Sequence, residues 1–186
     1  QGLFEAIIAA CRANQFERAL ALDRQATKNL EEDPMGGVVG MYEPRLPVLG
    51  EFFSDRWGSV HEELLPEDRL YVLTHTSRCL RALGHLAASY AIEKHVYDIL
   101  RSTDSPDSKP QAAKSACYLS EISLVRGHFS DSIAWGEKSV ADATTADNPE
   151  ILAYNLGALA DALHEFGDVA EASRLFGRAE EVWLTV

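Results

Sequence analysis

The sequence predicts an all-α protein built of antiparallel helix pairs stacked side by side, and three observations predict it. Between Leu152 and Val182, apolar and small residues recur three and four apart, at Leu156, Leu159, Ala160 and Leu163 and then at Ala172, Phe176 and Ala179. That spacing draws one apolar stripe along each of two helices, with Phe176 filling the space between them. Gly167 and Asp168 separate the stripes: glycine suits the left-handed conformation that ends a helix, and aspartate caps the next one. The same punctuation occurs at Asn14, Gly84 and Gly127, so that the turns fall 70, 43 and 40 positions apart. A period of about 40 is that of a helix-pair repeat. One pair cannot cover its own apolar face, so each leans on the next.

Taken in order, the first pair covers about residues 2–31, with Leu3, Ala6, Ile7 and Ala10 before Asn14 and Phe16, Ala19 and Ala26 after it. Asparagine tolerates the left-handed region there. Residues 33–65 read as an irregular insertion. Pro34, Pro44 and Pro47 exclude a regular helix over residues 33–47, three glycines add freedom, and a short apolar helix runs from Val48 to about Trp57. Pro66 opens the pair at about 66–101, where a helix begins. Leu73, Leu80 and Leu83 precede its Gly84, and Ser89, Ile92 and Val96 follow.

A polar loop over residues 102–110 feeds the pair at about 111–142, with Leu119 and Ile122 before Gly127 and Phe129, Ser132, Ile133 and Ser139 after it. A link at 143–149 leads to the last pair, about 149–183. Trp135 is expected to pack between pairs. Val182, Trp183 and Leu184 form an apolar patch suited to a dimer contact.

At 186 residues, 46% hydrophobic and 25% charged, the chain can bury a core and fits a single domain. Its net charge of -12, from 17 basic and 29 acidic residues, opposes nucleic acid and anionic membrane surfaces as partners and favours cationic peptides or a mixed protein surface. No run approaches the roughly 18 apolar residues of a membrane span. Cys11, Cys79 and Cys117 are odd in number and lack a paired spacing, which points to a reduced, cytoplasmic setting. The chain opens directly in a helical pattern at Gln1 and stops at Trp183-Leu184-Thr185-Val186 without a polar capping helix. It reads as a piece of a longer polypeptide.

The pattern of Leu156, Leu159-Ala160, Leu163, Gly167-Asp168, Ala172, Phe176 and Ala179 resembles the tetratricopeptide repeat (TPR). The Gly84 and Gly127 units match it less well, and the Asn14 unit least. More narrowly, CLRALG (79–84), YLSEISLVRG (118–127), LADALHEFGD (159–168) and AEASRLFGRAEE (170–181) are similar to the C-terminal repeat regions of bacterial signal-transduction ATPases with numerous domains and related multidomain regulators. Ser89, Ser120, Ser123, Ser132 and Ser139 depart from the pattern, standing where small apolar residues are commoner.

The resemblance implies a right-handed superhelix whose concave face is lined by the first helix of each pair. Residues pointing away from the partner helix are then Tyr71, Thr74, Arg78 and Arg81 in one pair, Lys114, Cys117, Glu121 and Leu124 in the next, and Tyr154, Asp161 and His164 in the last. A basic end, an acidic end and two tyrosines suit a polar peptide or protein segment, because Arg and Tyr carry interface hot spots. Another domain of the parent chain is a further candidate occupant.

Catalytic and metal chemistry finds weaker support. His75 and Cys79 stand four apart on one helix face, but two ligands do not make a metal site. The run at His61-Glu62-Glu63 is not HExxH, since position 65 is Leu. GGVVG at 36–40 lacks the Lys-Ser/Thr of a phosphate loop. His85 and His128 each follow a turn glycine, a recurrence that argues for capping or packing. A Cys79 or Cys117 nucleophile has nothing in sequence to orient a histidine toward it, and cysteine in a helix stripe is usually a small buried hydrophobe. The expectation is a non-catalytic binding or scaffold module without metal or cofactor. A domain sensing a small effector is the alternative, and an enzyme using the groove a more distant one.

Overall fold

A computed structural model describes residues 2–31 and 41–186. Its helices are α1 (Gly2–Arg12), α2 (Phe16–Glu31), α3 (Tyr42–Gly50), α4 (Pro66–Ala82), α5 (Leu86–Ser102), α6 (Ser108–Val125), α7 (Phe129–Thr145), α8 (Pro149–Phe166) and α9 (Val169–Trp183). The described residues hold no strand beyond an isolated antiparallel bridge, Phe53 to Val60. The chain forms two compact units, residues 1–92 and 93–186, and the boundary falls within α5. No described helix is long and apolar enough to cross a membrane.

All four predicted turns take the left-handed conformation, with φ of 55° at Asn14, 78° at Gly84, 76° at Gly127 and 102° at Gly167. Each closes the same way: the next residue donates its N–H five places back. Gln15 thus reaches Ala10 O at 2.8 Å, His85 Leu80 O at 2.8 Å, His128 Ser123 O at 2.9 Å and Asp168 Leu163 O at 2.9 Å. This satisfies carbonyls that a helix end would leave orphaned. Asp168 then caps α9 by accepting from Glu171 N at 3.2 Å, and Asn148 caps α8 by accepting from Ile151 N at 3.0 Å. His128 sits at the N-cap of α7 without a capping hydrogen bond from its side chain.

Three of the serines that depart from the repeat pattern, Ser89, Ser120 and Ser132, explain themselves by position. Seven residues before and five after each turn residue, a buried pair faces across the helices. In two pairs the residues are serine, and each hydroxyl donates to the other's backbone carbonyl: Ser89 Oγ to Ser77 O at 3.0 Å, Ser120 Oγ to Ser132 O at 2.7 Å and Ser132 Oγ to Ser120 O at 2.9 Å. In the last pair the same places hold Ala160 and Ala172, and in the first Ile7 and Ala19. Serine is small enough for close helix approach, and its hydroxyl is satisfied by the carbonyl it meets.

In the second unit, Asn155 of α8 ties three helices together, donating to Ala113 O of α6 at 3.2 Å and Ser139 O of α7 at 3.0 Å. Trp135 of α7 meets Tyr97 of α5 edge-on at 5.2 Å, the inter-pair packing expected of it.

Three expectations need correction. Residues 42–50 are helical despite Pro44 and Pro47. Pro44 is the third residue of α3, where the N–H has no intrahelical acceptor, so only Pro47 removes a bond. The expected helix to Trp57 ends at Gly50, and the chain turns into a short hairpin over residues 52–61, with His61 N donating to Phe52 O at 3.1 Å. Pro34, Gly36, Gly37 and Gly40 lie outside the described residues. Lastly, Leu175 occupies the inner place foreseen for Phe176: it packs with Leu156, Leu159 and Ala160, whereas Phe176 is 42% exposed. Adjacent helix positions differ by about 100° in direction, so only one of the two can face α8.

Candidate partner-binding site

In the first unit the charged residues converge on Asp23, which is wholly buried in α2. Arg45 of α3 forks onto it, with Nη2 at 2.7 Å from Oδ2 and Nε at 3.2 Å from Oδ1. Tyr71 of α4 donates its hydroxyl to Oδ2 at 2.9 Å and accepts from Arg45 Nη2 at 3.2 Å. Arg45 Nη1 also lies 3.2 Å from His75 Nδ1. A guanidinium can only donate, so this nitrogen of His75 accepts and the ring is neutral. Burial, reinforced by the Arg45 cation, pushes His75 down to about 4. Arg24 closes the cluster from outside, over the Tyr71 ring at 4.8 Å and 2.6 Å from Asp68.

The Tyr71 expected in a groove is therefore half-buried and its hydroxyl is engaged. Thr74 and Arg78 are exposed on the same helix, and Arg81 is partly so. The His75–Cys79 pair is turned to other ends. His75 Nδ1 is occupied by Arg45, and burial raises the Cys79 thiol to about 11. Among the described residues no three His, Cys, Asp or Glu side chains gather where they could hold a metal ion.

The first unit also holds an open hollow of about 490 Å³ walled by Leu46, Pro47, Phe53, Trp57 and Leu83, with Glu43, Arg56 and His85 among its polar lining. Trp57 stands at the hairpin tip with φ of 63°, a conformation that a bulky side chain rarely adopts. The tip is held by Asp55, whose Oδ1 accepts from Ser59 N at 2.5 Å. A Cβ at Gly58 would collide with the Asp55 carboxylate, so a side chain there would displace the group that holds the tip.

In the second unit α6 and α8, the first helices of successive pairs, lie against each other. Tyr154 of α8, 56% exposed, donates its hydroxyl to Glu121 Oε1 of α6 at 2.6 Å. That bond, ahead of burial, raises the pKa of the phenol and fixes the ring. Lys114, Asp161 and His164 are exposed on the same two helices, and Leu124 is half-buried. Cys117 is the exception and corrects the expectation: it is fully buried on α6, which packs against α7 and α8, and so is not presented to a partner.

Sequence reasoning missed Asp23, Arg45 and Trp57. Asp23 leaves one signal, since it stands nine residues after its turn residue, the place where a later pair carries Glu93, an acid amid apolar neighbours. Arg45 and Trp57 leave none, since their roles depend on chain brought from elsewhere.

No family model matches the chain, and no curated protein sequence does. Among solved structures, the chain is similar to two crystal structures of kinesin light chain-like, nearly identical TPR-like repeats of Podosopora anserina. One, a point variant, gives a TM-score of 0.64 at 16% identity over 97% of this chain and 92% of that one. The other gives 0.63 at 16% identity over 99% and 94%. The likeness shows that this chain has an all-α, TPR-like fold.

Proposed function

We propose that the chain is a non-catalytic module that binds a protein or peptide segment, and that it serves as the sensor part of a larger bacterial regulatory protein in the cytoplasm. The observation that carries the binding role is the α6–α8 face. Tyr154 presents an exposed ring already fixed by Glu121, on two helices that also expose Lys114, Asp161 and His164. A tyrosine whose rotamer is settled before contact loses little entropy on binding, and its ring gives a partner a large apolar surface rimmed by both charges.

The test is capture from the source lysate by the intact protein, with bound proteins identified by mass spectrometry and compared across variants. Tyr154→Ala is expected to weaken capture of a specific partner at least about tenfold with unchanged melting, whereas Tyr154→Phe keeps most of it. Equal capture by wild type and Tyr154→Ala removes this face as the site. A small-effector reading has support of its own in the hollow beside Trp57, whose volume falls in the range of ligand pockets. It predicts that Trp57→Ala, and not Tyr154→Ala, changes the response to a ligand.

A further inference from the structure

The exposed ring of Tyr154 is tied at its hydroxyl end to the Glu121 carboxylate, 2.6 Å away. A phenol that donates to a carboxylate keeps an electron-rich ring, and a cation laid over it is attracted by the π cloud and by the carboxylate together. One turn further on, α8 carries Ala158. Helix side chains lean back over the preceding turn, so a long residue there would cover the ring, whereas alanine leaves it open.

The charges around the ring have mostly one sign. Glu150, four positions before Tyr154, and Asp161 and Glu165, seven and eleven after it, share its side of α8 and are exposed. Neither Glu150 nor Asp161 has a basic partner among the described residues, and Glu165 lies 3.7 Å from His164 Nδ1. Lys114, seven positions before Glu121, is the single lysine or arginine on the same side of α6 as Glu121. The exposure belongs to the repeat itself. The same places relative to Gly127 hold Pro110, Lys114, Glu121 and Val125 of α6, and all four stay partly or fully exposed although α8 lies against that helix. They line a side that stacking leaves open.

We infer that this face binds a basic segment of another protein, with an arginine laid over the Tyr154 ring and further basic side chains drawn to Asp161 and Glu165. The inference rests on the α6–α8 face being the binding site and adds the chemistry of what binds there. Arginine suits the ring better than lysine, because its planar guanidinium stacks on an aromatic face and can fork onto a carboxylate. Asp161 stands two turns, about 10 Å, along α8 from Tyr154. Basic residues about three apart in an extended segment therefore reach both. A second copy of this chain is a poor occupant, since each copy carries a net charge of -12 and repels the other. An acidic segment meets the same repulsion, with Lys114 alone to offset it.

The experiment is fluorescence anisotropy of the full chain with two labelled, capped peptides, one alternating arginine with glycine and the other glutamate with glycine, at physiological ionic strength. The arginine peptide is expected to bind. Tyr154→Ala and Asp161→Asn should each weaken it at least about fivefold, with thermal melting to show that both variants fold. Glu137→Gln removes the same charge as Asp161→Asn from an exposed position on α7 and should change binding less than about twofold. Equal binding of the arginine peptide by all four proteins overturns the proposal, because the attraction then belongs to the net charge. So does no binding of that peptide up to about 1 mM. Binding of the glutamate peptide alone, lost in Tyr154→Ala, overturns the basic partner while the α6–α8 reading stands. Failure of that reading shows separately, as lysate capture that Tyr154→Ala leaves unchanged.

Discussion

Asp23 in the first unit and Gly136 in the second hold the same place relative to their turns, and they close their interfaces by opposed means. Asp23 is a carboxylate without solvent contact, satisfied by two nitrogens of Arg45 and the hydroxyl of Tyr71. Gly136 has no side chain at all, and Leu159 and Ser120 crowd the space where a Cβ would stand. In one region, specificity lies in hydrogen-bond geometry, and in the other it lies in volume. The difference teaches what each interface can tolerate: the first fails when a charge is stranded, the second when an atom is added.

The largest effect should come from stranding the charge. Arg45→Ala leaves Asp23 buried with a single donor, and loss of one partner of a buried pair costs about 3–5 kcal/mol. Urea denaturation should show that loss, whereas the double change Asp23→Leu with Arg45→Met should restore most or all of the stability, since an apolar pair of similar volume needs no solvation. A single variant as stable as wild type would mean that water reaches Asp23.

The same cluster should make stability depend on pH. His75 is held near 4 when folded against 6.5 for an ordinary histidine, so between those values the unfolded chain binds the extra proton. Stability is then complete above about pH 6.5 and falls as pH drops toward 4, by about 3 kcal/mol at most. Denaturation midpoints across that window should slope in wild type and lose much of the slope in His75→Gln. Equal slopes would place the sensitivity among the carboxylates.

The contrast between Asp23 and Gly136 also shows how far the sequence could be read. Turns were legible because left-handed geometry at Asn14, Gly84, Gly127 and Gly167 is a local demand answered by local residues. The proline-bearing α3 was not legible, because prolines read as breakers cost little in a first helical turn. Leu175 and Phe176 are both apolar and adjacent, so periodicity alone could not decide which faces α8. Of the candidate site, Glu121 and Tyr154 could be nominated separately from helix spacing, but the bond between residues 33 apart could not. Arg45 reaches Asp23 across 22 residues, and only the fold brings the two together.

The smallest effect tests the packing half of the comparison through two glycines in one unit. Gly157 of α8 has open space where a Cβ would stand, whereas at Gly136 the new atom meets Leu159 Cδ1 at 2.9 Å, Leu159 Cβ at 3.2 Å and Ser120 Oγ at 3.2 Å. Alanine is favoured over glycine inside a helix by up to about 1 kcal/mol, so Gly157→Ala should stabilise by roughly that amount. Gly136→Ala gains the same propensity and must also push apart α7 and α8, at a cost of about 1–3 kcal/mol. Leu159 Cδ1 can swing away, but its Cβ moves only with the backbone of α8, so the net change should be a loss of about 1 kcal/mol. Equal stabilisation by the two substitutions in thermal melts would mean that α8 yields freely, and that close approach at Gly136 is a consequence of stacking rather than a condition for it.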